Sequence, residues 1–118
     1  MKNLRLKLVV TVALLVLVVS LSGLKVAFLR AFDIVPNPME HLCQITVNVD
    51  RPMTLNIRIE DTKGQTVKNL HYGYVIRGIS LSWDRFDNNG NYTPKGTYRV
   101  VVSTNDRYTS TLKTLILK

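Results

Sequence analysis

Between residues 43 and 60, apolar and polar side chains alternate with a period of two. Cys43, Ile45, Val47 and Val49 fall on one face and Gln44, Thr46, Asn48 and Asp50 on the other, the pattern of a strand buried on one side. Met53, Leu55, Ile57 and Ile59 against Thr54, Asn56, Arg58 and Glu60 repeat it. Pro52, which has no N–H to give a ladder, separates the two runs. Asp61-Thr62-Lys63-Gly64 then supplies a type I turn with glycine for the left-handed position, leading into a return strand over residues 66–70. Ile79, Leu81 and Trp83 alternate with serines, and Tyr98, Val100 and Val102 continue the β pattern. Residues 112–117 form a closing strand. Helical periodicity is absent after residue 31. Six or seven short strands at this spacing predict an all-β, antiparallel sandwich of immunoglobulin-like or fibronectin-like type.

The first thirty residues follow another pattern. Residues 8–24 contain no charged side chain, with Lys2, Arg5 and Lys7 before them and Lys25 directly after. A helix of these 17 residues rises about 26 Å, slightly less than a hydrocarbon core of about 30 Å. The segment reads as a signal peptide or an N-terminal membrane anchor. Ser20-Leu21-Ser22 offers small residues for cleavage near Ser22, leaving an apolar stretch over 8–19. Against cleavage, no Ala-x-Ala occurs, and Val26-Ala27-Phe28-Leu29 lengthens the apolar run toward an uncleaved anchor. No cysteine follows Leu21-Ser22-Gly23, as a lipoprotein would require. Basic residues ahead of the apolar run favour a cytoplasmic N-terminus. The organisation expected is therefore an export or anchor segment over 1–30 and one extracytoplasmic sandwich over 31–118. The chain would be held in the inner membrane or, if cleaved, released to the periplasm or beyond.

Charge supports this division. The chain of 118 residues has a formal charge of +8. Lys2, Arg5, Lys7, Lys25 and Arg30 supply +5 of it, leaving 11 basic against 8 acidic residues in the sandwich. The excess flanks the apolar run, so it does not indicate nucleic-acid binding. Cys43 is the sole cysteine, which precludes an internal disulfide. Its phase with Ile45 and Val47 predicts a buried thiol behaving as a small apolar side chain.

Several stretches together resemble a known family. Val35-Pro36-Asn37-Pro38 opens the region. Leu55-Asn56-Ile57-Arg58-Ile59-Glu60-Asp61-Thr62-Lys63-Gly64 with Val67, then Trp83-Asp84, Asp87-Asn88-Asn89-Gly90 and Gly96-Thr97-Tyr98 follow. The combination, over residues 33–118, resembles the immunoglobulin-like domain of the flagellar hook-capping protein, which also occurs as a stand-alone envelope module. Arg85 departs from the glycine common in that family after the Trp-Asp pair. A second, weaker similarity is to the C-terminal sorting domains of type nine secretion cargo, which also open on Pro-Asn-Pro and end in a lysine-bearing strand. Both resemblances imply binding or structure rather than catalysis.

The polar loop between Trp83 and Gly96 is the candidate partner-contact surface, with Asp84, Arg85, Phe86, Asp87, Asn88, Asn89 and Asn91 as its residues. Truncating Arg85 or Phe86 is expected to weaken partner capture without lowering stability. The exposed strand edges are a second candidate surface, by β-augmentation. The oxygen-rich loop has the composition of a calcium site, but counting back from Gly90 places the first EF-hand ligand on the cationic Arg85. Turn-shaping Asx and glycine residues explain it better. Trp83 and Tyr98 are assigned to the core, with the Tyr98 hydroxyl bound to nearby backbone as in a tyrosine corner. His41 and His71 with Cys43 lack an orienting third group for a metal site or thiol–histidine dyad. No catalytic residue, cofactor, metal or small-molecule substrate is expected. The chain reads as a non-catalytic recognition or assembly module, with an unidentified envelope or secreted protein as partner and the membrane as its anchor if uncleaved. The alternative is a sorting domain read by a transport machine; a small thiol or metal-dependent enzyme ranks last.

Overall fold

The computed structural model describes residues 28–105 and 109–118; the expected N-terminal helix lies outside them. Among the described residues, seven strands run in chain order: β1 Leu29–Val35, β2 Cys43–Val49, β3 Met53–Asp61, β4 Thr66–Val75, β5 Gly78–Trp83, β6 Gly96–Thr104 and β7 Ser110–Leu117. They form two antiparallel sheets, β1-β2-β5 and β4-β3-β6-β7. This is the expected sandwich at the upper strand count.

The inward residues are those that the alternation selects. Cys43, Ile45, Val47 and Val49 of β2 face Leu55, Ile57 and Ile59 of β3 and Val100 and Val102 of β6 across one core, closed by Met39, Trp83, Tyr98, Leu115 and Leu117. Each fully buried aliphatic side chain contributes roughly 1.5–3 kcal/mol of hydrophobic stabilisation. No disulfide supplements it, because Cys43 is free and buried.

Two elements differ from the sequence expectation. Phe28 is only 6% exposed and packs in the core, and Leu29 opens β1, so both belong to the sandwich rather than to a lengthened anchor. Strand β4 extends to Val75, well past residue 70. A register irregularity opposite Ile57/Arg58 pairs those residues with His71 and Asn69, and the extra residue, Leu70, breaks the period-two phase that marks a strand in sequence.

The two ends of the sandwich differ in content. One end holds Phe28, the β2–β3 turn at residues 50–52 and the β4–β5 turn at residues 76–77. The other holds the β3–β4 turn, the β5–β6 loop and the end of β7. One strand length, about 20 Å, separates them.

Candidate functional site

The β5–β6 loop is built around a turn that the chain uses twice. Asp87 Oδ1 accepts hydrogen bonds from the amides of Asn89 and Asn91, both at 2.9 Å, while the Asp87 carbonyl accepts from Gly90 N at 3.1 Å. Asp61 does the same to Lys63, Gln65 and Gly64 between β3 and β4. Both glycines sit at positive φ, 80° for Gly90 and 82° for Gly64, where a side chain would be strained. The turn explains the oxygen content of the loop. Asp84 Oδ1 likewise accepts from Phe86 N, and Asn88 Oδ1 accepts from Asn69 N on β4.

Asn88 also donates its backbone N–H to the Val67 carbonyl at 3.0 Å, so the loop caps the first half of the β4 edge. A second asparagine covers the opposite edge of the same sheet. Asn37 donates its side-chain amide to the Thr114 carbonyl at 2.8 Å and accepts from Ile116 N at 3.1 Å. Next to it, Met39 makes a parallel bridge to Leu117. Here two asparagines, Asn88 by its backbone N–H and side-chain oxygen and Asn37 by its side-chain amide, stand in for a neighbouring strand, and they close both edges of the four-stranded sheet at this end.

Arg85 lies at the centre of the loop and is not a surface residue. It is 4% exposed. Its Nε donates to the Thr93 carbonyl at 2.9 Å. One terminal nitrogen reaches both the Glu40 carbonyl and, at 2.9 Å, the main-chain oxygen of Lys118. Thr93 N returns a bond to the Arg85 carbonyl, and the guanidinium carbon stands 4.7 Å from the Tyr92 ring centroid. One cation thus ties the loop, the β1–β2 connection and the end of β7 together. Its backbone has φ of 71°, so this chain holds an arginine where a glycine would be unstrained. The expectation that Arg85 is a contact residue, replaceable without loss of stability, is corrected by this burial.

Above Arg85 sits an aromatic cluster. The Phe86 and Tyr92 rings meet edge to face at 5.4 Å and stay 42% and 44% exposed. His41 Nδ1 lies 2.6 Å from the Tyr92 hydroxyl, and Leu42 beside it is exposed. Beneath the cluster, Trp83 donates its indole N–H to the Phe86 carbonyl at 3.0 Å. Of the residues expected in the contact loop, Phe86 joins this patch, Asp87 and Asn88 hold the turn and the β4 edge, and Asp84, Asn89 and Asn91 lie exposed around it. Sequence reading missed His41, Leu42 and Tyr92 as members. His41 and Tyr92 are 51 positions apart, and no local pattern links them.

Burial pushes the Cys43 thiol up to about 11, a backbone hydrogen bond involving Trp83 drawing it partly back. His41 is engaged by Tyr92, and among the described residues there is no group of three metal-ligating side chains. The Tyr98 hydroxyl donates to the Pro94 carbonyl at 2.8 Å, the tyrosine-corner contact. Burial raises its phenol above the ordinary range, against the lowering effect of Arg85, and Asp61 adds to the rise. Cys43 makes stability pH-dependent on the alkaline side. Below its ordinary value of 9.0 both states keep the proton; between 9.0 and about 11 the unfolded chain ionises first, so stability falls as pH rises. The slope approaches about 1.4 kcal/mol per pH unit. Chemical denaturation from pH 8 to 11 should show Cys43→Ala losing less stability than the parent chain; equal losses would place the titration elsewhere.

The family profile described as the FlgD Ig-like domain matches residues 40–107, more than half of the chain and every strand from β2 to β6. The chain belongs to the FlgD Ig-like domain family. The matched part includes the aromatic cluster and Arg85, while β1, Asn37 and β7 lie outside it. Solved structures share the fold of this FlgD Ig-like domain. Dimeric latent PorU from Porphyromonas gingivalis superposes at TM-score 0.61 with 21% identity over 73% of this chain. PorZ of the same organism, described as an essential bacterial surface component of the type-IX secretion system, gives 0.53 with 19% identity over 75%. FlgD from P. aeruginosa gives 0.51 with 22% identity over 76% of this chain and 75% of its own. At these identities the likeness establishes the fold. This chain covers 9% of PorU and 11% of PorZ. A search of curated proteins finds no match.

Proposed function

We propose that the chain is an exported, membrane-tethered recognition module of the bacterial cell envelope that acts by contact rather than by catalysis. The observation that carries this reading is the opposition of its two ends. The chain enters the sandwich at Phe28, four residues after the apolar run, and exposes Phe86, Tyr92, His41 and Leu42 at the other end. A tethered domain built this way holds its aromatic patch away from the membrane. Membership in the FlgD Ig-like family and the likeness to PorZ, a bacterial surface component, support the location. The buried, high-pKa thiol and the tied histidine support the absence of catalysis.

Aromatic side chains clustered on a rigid support are typical anchors of protein interfaces, where truncating one costs 2 kcal/mol or more, about thirtyfold in affinity. The double substitution Phe86→Ala and Tyr92→Ala should therefore reduce in vivo photocrosslinking to an envelope partner by about that factor, with a smaller thermal shift than loss of Arg85 produces. Crosslinking undiminished by the double substitution would exclude the patch as the contact.

A second reading, a sorting domain recognised by a secretion machine, draws on the likeness to PorU and PorZ. Intact mass in separated membrane, periplasmic and external fractions distinguishes the two. A full-length membrane species fits the tethered module, and a chain that has lost its sandwich fits the sorting domain.

A further inference from the structure

We infer that the end of the sandwich at which the chain enters is a docking surface for anionic lipid headgroups, so that the domain stands on the membrane rather than swinging from its tether. The inference rests on the tethered reading above. Three arginines meet at this end. The Phe28 carbonyl accepts from Asp50 N at 3.1 Å, and the Arg77 carbonyl accepts from Val49 N at 2.9 Å. These two bonds lock the entry point, the β2–β3 turn and the β4–β5 turn into one backbone cluster. Arg30, Arg51 and Arg77 project around an open cleft of about 770 Å³ there. Among the described residues, Asp50 is the one acidic side chain lining it, 3.5 Å from Arg51.

Chain length sets the distance to the membrane. From Leu24, the last residue of the apolar run, to the buried Phe28 is four residue steps, at most about 14 Å even when fully extended. If residues 8–24 are in the bilayer, the arginines lie within about one or two Debye lengths of the headgroups at physiological salt, close enough for attraction that strengthens on contact. Lys25 adds a further positive charge in the connection. This end has interfacial chemistry as well. Ile76, which lines the cleft, is 65% exposed, and Tyr74, near the end of β4, is 67% exposed, an apolar and an amphipathic side chain of the kinds that settle at headgroup level. Guanidinium groups on flexible stems suit phosphate oxygens.

The orientation matters for function. A domain seated on its arginine end directs Phe86 and Tyr92 away from the bilayer, which limits the search of a partner to one direction.

The test uses the full chain reconstituted in phosphatidylcholine vesicles with or without phosphatidylglycerol. Cys43 is buried and its thiol is weakly reactive, so a polarity-sensitive fluorophore can be attached selectively at Ile76→Cys or, at the far end, at Asn89→Cys. The probe at position 76 should report an apolar, lipid-quenchable environment in anionic vesicles, revert at about 1 M salt, where the Debye length is about 3 Å, and stay aqueous on phosphatidylcholine alone. The probe at position 89 should stay aqueous throughout. Each substitution among Arg30→Gln, Arg51→Gln and Arg77→Gln should lower the docked-to-undocked ratio about fivefold.

A chain that floats with both vesicles while the probe at 76 stays aqueous overturns docking and leaves the tether standing. Burial of the probe that is independent of anionic lipid, or that grows with protein density as for a second copy of the chain, overturns headgroup recognition. Failure to float with either vesicle overturns the tether, and the docking with it.

Discussion

Arg85→Ala should lower the melting temperature by about 15 °C. The guanidinium makes three hydrogen bonds to main-chain oxygens of Thr93, Glu40 and Lys118, and a bond from a charged donor contributes roughly 1.5–3 kcal/mol each before non-additivity. Removing it strips three oxygens of a donor and leaves Tyr92 without its cation. The strain of φ at 71° persists in alanine, so the net loss is about 3 kcal/mol, which for a domain of this size is about 15 °C. Two further variants make the mechanism specific. Arg85→Gly relieves the left-handed strain by about 1 kcal/mol and should melt between the parent and the alanine variant. Arg85→Lys should recover little, because one ammonium cannot copy the planar fork. Thermal denaturation of the three variants checks the order. Shifts within about 3 °C for all of them, the range of an ordinary surface substitution, would mean that the clamp does not hold the loop.

Trp83→Ala should bring the domain to the margin of stability. Trp83 is the largest of the fully buried side chains, and truncating a buried tryptophan costs about 4 kcal/mol by lost transfer energy and residual cavity. The indole N–H bond to Phe86 is lost as well. Against a typical total of about 5–15 kcal/mol, this should lower the urea midpoint by about 3 M. Trp83 is the sole tryptophan, so the comparison needs far-ultraviolet circular dichroism rather than intrinsic fluorescence. Trp83→Phe keeps most of the volume but not the donor and should lose about half as much. The two variants also separate core from patch: the phenylalanine variant frees the Phe86 carbonyl and should loosen the aromatic cluster before the fold is lost. A midpoint shift below about 1 M for the alanine variant would contradict the core assignment.

The parts legible in the sequence are those governed by neighbours along the chain. Period-two alternation marked β2, β3, β5 and β6, because each inward residue is separated from the next by one outward residue and the core needs nothing more. The turns at Gly64 and Gly90 were readable because an Asx side chain bonds its own backbone a few residues on. Trp83 and Tyr98 followed from their phase. Strand β1 was hidden by the apolar run that precedes it, and the second half of β4 by a bulge that shifts the phase at Leu70.

The site was the least legible part, for a related reason. Arg85 looks in sequence like any loop cation, and its partners Glu40 and Lys118 are 45 and 33 positions away. In sequence Asn37 belongs only to the Pro-Asn-Pro opening and Asn88 to the polar loop, yet their decisive contacts are to strand edges elsewhere in the fold. The sequence by itself determined an all-β sandwich, its inward faces, its turns and an apolar segment ahead of it, since these depend on spacing within a few residues. Only the tertiary structure decided that Arg85 is a buried clamp, that His41 meets Tyr92, and that three arginines gather where the chain enters. Long-range contact depends on how the sheets stack and where their ends fall, which no local spacing encodes.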